Sequence, residues 1–568
     1  MRISSSICVL AAAVAAVASA QPVVSALENN YSYTLPGLPT YGIAQGSVFD
    51  IFGTNIGPSQ TPVLPDLSKG PLVTTLNGVS ISVTVNGTTV QAIPYYVSAG
   101  QIAAILPSNT PVGSGILTVS YNGQTSAATS IQVVASAVGL DTLNGSGSGI
   151  AVAQDASNGY AILGPNNAAN PGEVLVLWGT GVGPASGDET KYPFPQVDLT
   201  ASNNVKVYIG GQLASVAYAG RSQFPGVDQI NVTVPAGVSG CNVSVLVQTG
   251  AYVSNTATIP VAASGRTCSD QASTGLSQGD LQTLLSKPTV KTGVIVLNKT
   301  KTQTAGYNYG GLSYPPTNIT SDSAIGSFNQ FNTSQLATGT SGVLFQQASV
   351  GSCTTYQLKG AGGASSITAT VLDAGTISMT WPNGTVVTVP KETTKTYFYG
   401  SSDAPGAPLP PFIPANGGTF SFANSGGVVG TFNGASITAP PLLNWTNSDA
   451  ISAITKAQGV TVNWDASTPY TGFVTVAGSS QQVNTADFNK SILTGFSCAV
   501  PYNKGTFTVP AYVLLGLATS QTGSSGVAFP TGALSLSLNV APVPFTASGL
   551  DYAVVDASST IGKSVTYQ

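Results

Sequence analysis

The chain has 568 residues, 42% hydrophobic and only 7% charged, with a formal net charge of −4 and no histidine. The hydrophobic share is enough for a core, so the low charge does not signal disorder, and the thin charge without any Lys/Arg-rich run excludes a nucleic-acid partner. The missing histidine excludes Ser-His-Asp and Cys-His nucleophiles, histidine acid–base work and the usual zinc sites.

At roughly 100–200 residues per domain, the length predicts about three to five domains. Residues 1–20, MRISSSICVLAAAVAAVASA, read as a cleaved signal peptide. Arg2 supplies the positive start, Ile7 to Val17 the apolar stretch, and Ala18-Ser19-Ala20 the cleavage site. The apolar stretch is short against the roughly 20 residues that a bilayer-spanning anchor needs. Secretion or display at the cell surface is therefore expected, with no transmembrane segment after cleavage. The longest later apolar run, Ala511 to Ala518 (AYVLLGLA), reads as a buried strand.

After a short segment over 21–35, the stretch GSVFDIFGTNIGP (Gly46 to Pro58) returns as GEVLVLWGTGVGP (Gly172 to Pro184), an offset of 126. The match extends beyond it. VTVNG (Val83 to Gly87) answers VYIGG (Val207 to Gly211), Tyr96 answers Tyr218, and QIAAILP from Gln101 answers QINVTVP from Gln229. An internal repeat of this size means two homologous domains in tandem.

The shared glycines, Gly53 and Gly57 against Gly179, Gly181 and Gly183, are expected to serve as structural turns. A dinucleotide loop needs G-x-G-x-x-G opening a helix whose N-terminus faces the pyrophosphate. Here Pro184 takes the last glycine's place, ASGDETKYP follows without helical periodicity, and the first copy has Asn55 in the middle. The reading is a strand, a kink needing positive φ at Gly or Asn, and a return into the next strand.

An apolar strand, then G-T-N/G-x-G-P, a V-x-V/I-x-G hairpin and a Q-I-x-x-x-x-P strand together resemble IPT/TIG immunoglobulin-like domains. More closely, the pattern is similar to the Solibacter-type repeat of uncharacterised exported bacterial proteins. Gly145-Ser-Gly147-Ser-Gly149-Ile-Ala151 stands where that family has G-S-G-x-G-x-A. The resemblance covers roughly residues 36–268, more closely in the second copy. It implies immunoglobulin-like sandwiches over 36–136 and 137–268 and an exported role, but no established activity. Short alternating strands broken by NG, GG and PG turns read as a sandwich without it.

Four cysteines follow the signal: Cys241, Cys268, Cys353 and Cys498. An even number in an exported chain predicts two disulfides with three possible pairings. Cys241–Cys268 and Cys353–Cys498 are favoured because each bridge then stays inside one region. Between the halves, over 269–289, Ser277 to Pro288 reads as one short helix, with Asp280 in its first turn, an apolar face of Leu281, Leu284 and Leu285, and Pro288 as its stop.

From residue 290 to 568 alternating strands return, with Asn383-Gly384 as a hairpin signal and PGAPLPPFIP (Pro405 to Pro414) as an extended loop. A bridge from Cys353 to Cys498 crosses that loop, which favours one large sandwich over two domains. Chemistry here is limited to carboxylates. A glycosidase needs two across a cleft, and Asp373 and Asp465 are the candidates, although each also suits a turn. Trp381, Trp445 and Trp464 suit a sandwich core. Tyr307, Tyr309 and Tyr314, in an aromatic loop, and Tyr397 and Tyr399, beside the proline-rich stretch, are the candidate ligand contacts, because exposed rings stack on sugar faces. Asn-x-Ser/Thr triplets occur at Asn298, Asn318 and Asn332 and matter only in a glycosylating host. No D-x-D-x-D-G calcium loop occurs.

The expectation is an all-β chain: two tandem immunoglobulin-like (IPT/TIG-like) β-sandwiches followed by a larger C-terminal β-sandwich. Its expected role is non-enzymatic, as a surface or extracellular protein for adhesion, glycan binding or spacing. No cofactor and no metal are expected, and the partner is a polysaccharide or a surface protein. The alternative is an accessory module, or a weak carboxylate-based glycoside hydrolase, in polysaccharide breakdown.

Overall fold

A computed structural model of the chain describes residues 20–304, 306–309, 312–334, 347–359, 369–393, 396–521 and 530–568. At 69, 307–309, 312–314, 359 and 488 it describes the backbone alone. Residues 1–19 of the expected signal peptide lie outside it. The described chain is all-β in several sheets, with short α-helices at Gln271–Thr274, Gln278–Leu285 and Ala511–Leu514.

In the N-terminal region, strand Thr88–Val97 pairs with Val79–Val85 on one side and Gln101–Ile105 on the other. The sheet folds over along this strand and encloses Phe49, Ile51, Ile81, Val83, Ile102 and Leu117. Strand Gln212–Arg221 does the same further on, pairing with Val205–Ile209 and Asp228–Thr233 around Leu175, Leu177, Val207, Ile230 and Val245.

The 126-residue repeat is visible in the pairing. Leu27 lies opposite Ile51, and Ala153 opposite Leu177. Parallel partners join Ile43 to Val133 and Ala169 to Val261. A bulge precedes Tyr96 in one copy and Tyr218 in the other. Asn86-Gly87 and Gly210-Gly211 all have positive φ, as a two-residue hairpin turn matched to strand twist requires.

The glycine stretch does two jobs. Gly53 and Gly179 sit where the neighbouring strand's backbone comes closest, so an added methyl would run into the carbonyls of Val23 and Gly139. Two residues on, Asn55 (φ 55°) and Gly181 (φ 89°) turn the chain through the left-handed region. Gly179→Ala is therefore expected to cost about 1–3 kcal/mol by overpacking. Calorimetry of the full chain should show a lowered transition. An unchanged profile would mean that the Gly139 backbone moves aside freely.

The second copy of the stretch also docks onto the first repeat. Thr180 Oγ1 accepts from Val48 N at 2.9 Å and donates to Gly226 O at 2.6 Å. Ser108 Oγ accepts from Ala185 N, and Glu189 Oε1 accepts from Ser108 N. Behind these, Arg221 and Asp228 form a fully buried ion pair at 3.1 Å. Arg221 Nη2 donates to Gly183 O, and Asp228 Oδ2 accepts from Val182 N.

In the C-terminal half one long sheet runs in the order 353–359, 492–501, 472–482, 532–540, 552–567, 289–304 and 317–332, with 397–402 beside the last. It carries two separate second layers. Strands 386–389, 377–380, 418–424 and 433–439 cover one end, enclosing Leu297, Phe328, Met379, Phe420 and Phe422. Strands 460–463 and 506–509 cover the other, enclosing Val476, Phe496, Trp464, Val513 and Leu536.

One expectation needs correction here. Ala511–Ala518 is buried, but it begins as one helical turn after Pro510 instead of a strand. Burial alone does not distinguish a short apolar helix from a strand. The proline-rich stretch is the expected loop, without strand or helix, and it is anchored. Phe412 and Ile413 enter the core, and Ile413 is gripped at both backbone atoms, with Lys299 Nζ donating to its carbonyl and its N–H donating to Asp322. The linker helix Gln278–Leu285 starts with a Ser277/Asp280 capping box and buries Leu281 and Leu284.

Candidate functional site

Both favoured disulfides are present, Cys241–Cys268 and Cys353–Cys498. The aromatic loop is a hairpin continuing the long strand pair 289–304 and 317–332. Tyr307 lies opposite Tyr314, and Tyr309 opposite Leu312. The side chains of Tyr307, Tyr309 and Tyr314 lie outside the described part of the chain.

Tyr397 is fully buried, which removes it as a ligand contact. Its hydroxyl donates to Gly375 O and accepts from Ala374 N, and burial pushes it up to about 12. Tyr399 packs edge-on against Trp381 and Phe412 in the core, half-buried. Trp445 and Trp464 are core residues.

Asp373 and Asp465 belong to different second layers and are each committed to a turn. Asp373 accepts from Gly375 N, and Asp465 accepts from Ser467 N. Lys391, 2.8 Å away, holds the Asp373 carboxyl down at about 2. Bonds from Ser467 lower Asp465. A general acid needs the opposite shift.

The concave feature that brings all three regions together lies elsewhere. A cleft of about 330 Å³ opens between residues 32–40, the second repeat, and the edge of the long sheet. Its polar lining includes Ser32, Thr34, Ser148, Asn255, Thr355 and Gln357, its apolar lining Leu38, Leu246 and Leu517, and Tyr512 stands at one side. None of its lining residues is charged.

The walls are knitted to each other. Gln357 Nε2 donates to the carbonyls of Ser32 and Tyr33, and Gln357 Oε1 accepts from Leu35 N. Asn255 Nδ2 donates to Leu140 O and Gly147 O. Thr256 and Thr355 hydroxyls meet at 2.8 Å. Tyr512 stacks on Tyr208, ring centroids 3.8 Å apart. Hydroxyls and carbonyls keep spare accepting capacity, so the cleft can take a neutral, hydrogen-bonding ligand. Sequence patterning gives no signal for it, because its lining comes from segments hundreds of residues apart.

Beside the cleft, the segment 29–34 is held in an unusual backbone. Tyr31 (φ 78°) and Tyr33 (φ 49°) both adopt left-handed conformations, which cost of order 1–3 kcal/mol each at non-glycine residues. Asp50, fully buried beneath, accepts from Asn30 Nδ2 and Gln101 Nε2. Burial pushes both Asp50 and Asp141 up to about 6. Each then binds its proton more tightly folded than unfolded. Their stabilising contribution is present at low pH and is lost as pH rises from about 3.8 to about 6. Asp50→Asn should flatten the fall in melting temperature across that window. An unchanged slope would place the proton elsewhere.

No family model and no curated protein matches the chain. Among solved structures it is similar to the plexin A4 full extracellular region (15% identity, 41% of this chain and 17% of that chain, TM-score 0.15). It is also similar to gamma-CGTase from alkalophilic Bacillus clarkii (12% identity, 70% of this chain and 37% of that chain, TM-score 0.16). A third is SGBP-B of the Bacteroides ovatus mixed-linkage glucan utilization locus, in complex with a mixed-linkage heptasaccharide (10% identity, 80% of this chain and 97% of that chain, TM-score 0.15). The chain spans less than two-fifths of the plexin and CGTase chains. At these scores the likenesses carry no argument. Among the described residues no helix is long and apolar enough to cross a membrane.

Proposed function

We propose that this is an exported, non-enzymatic surface or extracellular protein that binds neutral glycan at the three-way cleft. Its two repeats, read as IPT/TIG-like immunoglobulin sandwiches, form a stiff support for the larger C-terminal sandwich. The observation that carries this reading is the cleft itself: a charge-free, hydroxyl- and amide-lined concavity of the size that small ligands occupy. Sugars present the same neutral donors and acceptors. The hydrogen-bonded junction at Thr180, Ser108 and Glu189 supports the spacer component, since a jointed chain would not need it.

The test is calorimetric titration of the chain from Gln21 to Gln568 with a panel of soluble neutral oligosaccharides, with released sugars assayed in parallel. Ser148, exposed and lining the cleft, is the position to block. Binding to one oligosaccharide that Ser148→Trp weakens at least tenfold supports the reading. Sugar release would overturn its non-enzymatic part. Absence of any binding would leave the spacer role alone.

A further inference from the structure

The long C-terminal sheet is covered on one face by its two second layers. Burial alternates along 532–540 and over the middle of 472–482 and 552–567, so every second residue there points away from both cores. Beside apolar Val296 and Ile325, many side chains on this outer face are small hydroxyls and amides joined across strands. Ser537 and Thr560 meet at 2.7 Å, Ser558 donates to Asn298 at 2.8 Å, and Ser321 donates to Ser402 at 3.1 Å. Each pair spans directly opposed residues. The one carboxylate on these strands' outer face, Asp556, is half-buried.

Two aromatic rings border the same face. Tyr356, on the edge strand 353–359, is 45% exposed, and its ring lies over Gly495, where an added methyl would strike it. Phe398, on the opposite edge strand, is 44% exposed, and its ring lies over Gly400. Each ring packs against a glycine and still leaves close to half of its residue's surface to solvent. An exposed aromatic can stack on the apolar face of a sugar, while the edges of the sugar hydrogen-bond beside it.

We propose that this face docks the chain onto a solid surface of uncharged polysaccharide, with Tyr356 and Phe398 stacking on sugar rings and the cross-strand hydroxyls bonding between them. Charge complementarity selects that partner. Among the described residues the outer rows carry no ion besides the half-buried Asp556 to attract an acidic or basic polymer, and strand spacing of about 4.8 Å sets the hydroxyls in regular rows. This surface meets the cleft at Tyr356, which lines both, and it deepens the glycan reading by giving the insoluble form contacts beyond the cleft.

The test is retention of the chain from Gln21 to Gln568 on cellulose and chitin particles, beside carboxymethylated cellulose particles, with soluble-oligosaccharide titration in parallel. The wild type should be retained on at least one neutral particle and less on the charged one. Phe398→Ala, outside the cleft lining, should lose at least tenfold in particle retention while its soluble binding stays unchanged. Thr560→Lys, a single change in the middle of the face, should weaken retention with both rings intact. Ser148→Trp should do the reverse, losing soluble binding and keeping retention. Wild-type retention by no neutral particle, equal retention on charged particles, or full retention by both face variants would overturn the docking surface. None of those results touches the cleft, whose fate rests on the titration alone.

Discussion

Replacing Arg221 by methionine is expected to cost the second repeat about 3–5 kcal/mol, the price of leaving one member of a buried ion pair alone. Arg221 and Asp228 have no exposed side-chain surface. With the guanidinium gone, the Asp228 carboxylate keeps Val182 N but has no counter-ion. Burial already raises its pKa against the pull of Arg221, so losing the guanidinium shifts it further toward the neutral acid. Arg221→Met/Asp228→Leu should recover much of the loss, because apolar replacement of a whole buried pair is often neutral or stabilising. The two results separate the cost of an orphaned charge from any net worth of the pair. Calorimetry on the full chain reads both. A second readout follows from position. Arg221 holds Gly183 O and Asp228 holds Val182 N, both in the stretch that docks on the first repeat. Proteolytic cleavage in the connector near residues 135–138 should quicken in the single variant. A single variant as stable as the wild type would show that Asp228 is satisfied without its partner.

The same residues mark how far the sequence could be read. The repeat was legible because its landmarks are backbone requirements. Gly179 is needed for close approach and Gly181 for positive φ, and Asn is the usual alternative to glycine where φ is positive. That is why Asn55 could stand in the first copy without breaking the pattern. The disulfides were legible because each bridge closes within one region. Arg221 was not singled out, since a lone arginine in a strand gives no sign of its partner. Tyr397 was misread for a related reason. Its neighbour Phe398 faces the other way, and in a run of three aromatics the pleat sends alternate rings to opposite faces without the sequence saying which. Whether the C-terminal half is one unit or two has a mixed physical answer. One sheet runs through it, but Trp464 and Phe420 lie in separate cores on that sheet. The cleft was invisible because Ser32, Asn255 and Gln357 meet only after all three regions have folded.

Both proposed glycan sites depend on the edge strand 353–359, and the Cys353–Cys498 bridge is what ties it down. The two cysteines are directly opposed across adjacent strands, and the bridge closes a separation of 145 residues. In the chain-entropy account, closing a loop of that length removes about 5 kcal/mol of unfolded-state freedom, against about 3.5 kcal/mol for the 27-residue separation of Cys241–Cys268. Cys353→Ala/Cys498→Ala is therefore expected to be the more damaging of the two paired replacements. The strand it frees carries Thr355, Tyr356 and Gln357 to the cleft, with Tyr356 reaching the outer face as well. Gln357 in turn holds Leu35 and the Ser32 and Tyr33 carbonyls, so the N-terminal segment should loosen with it. Denaturant titration should show the larger loss of stability in this variant, and both soluble-oligosaccharide binding and particle retention should fall together. Reducing agent applied to the wild type should reproduce that joint loss. If stability falls while both kinds of binding persist, the pairing of residues 353–359 with 492–498 is enough to hold the strand, and the bridge serves the fold alone.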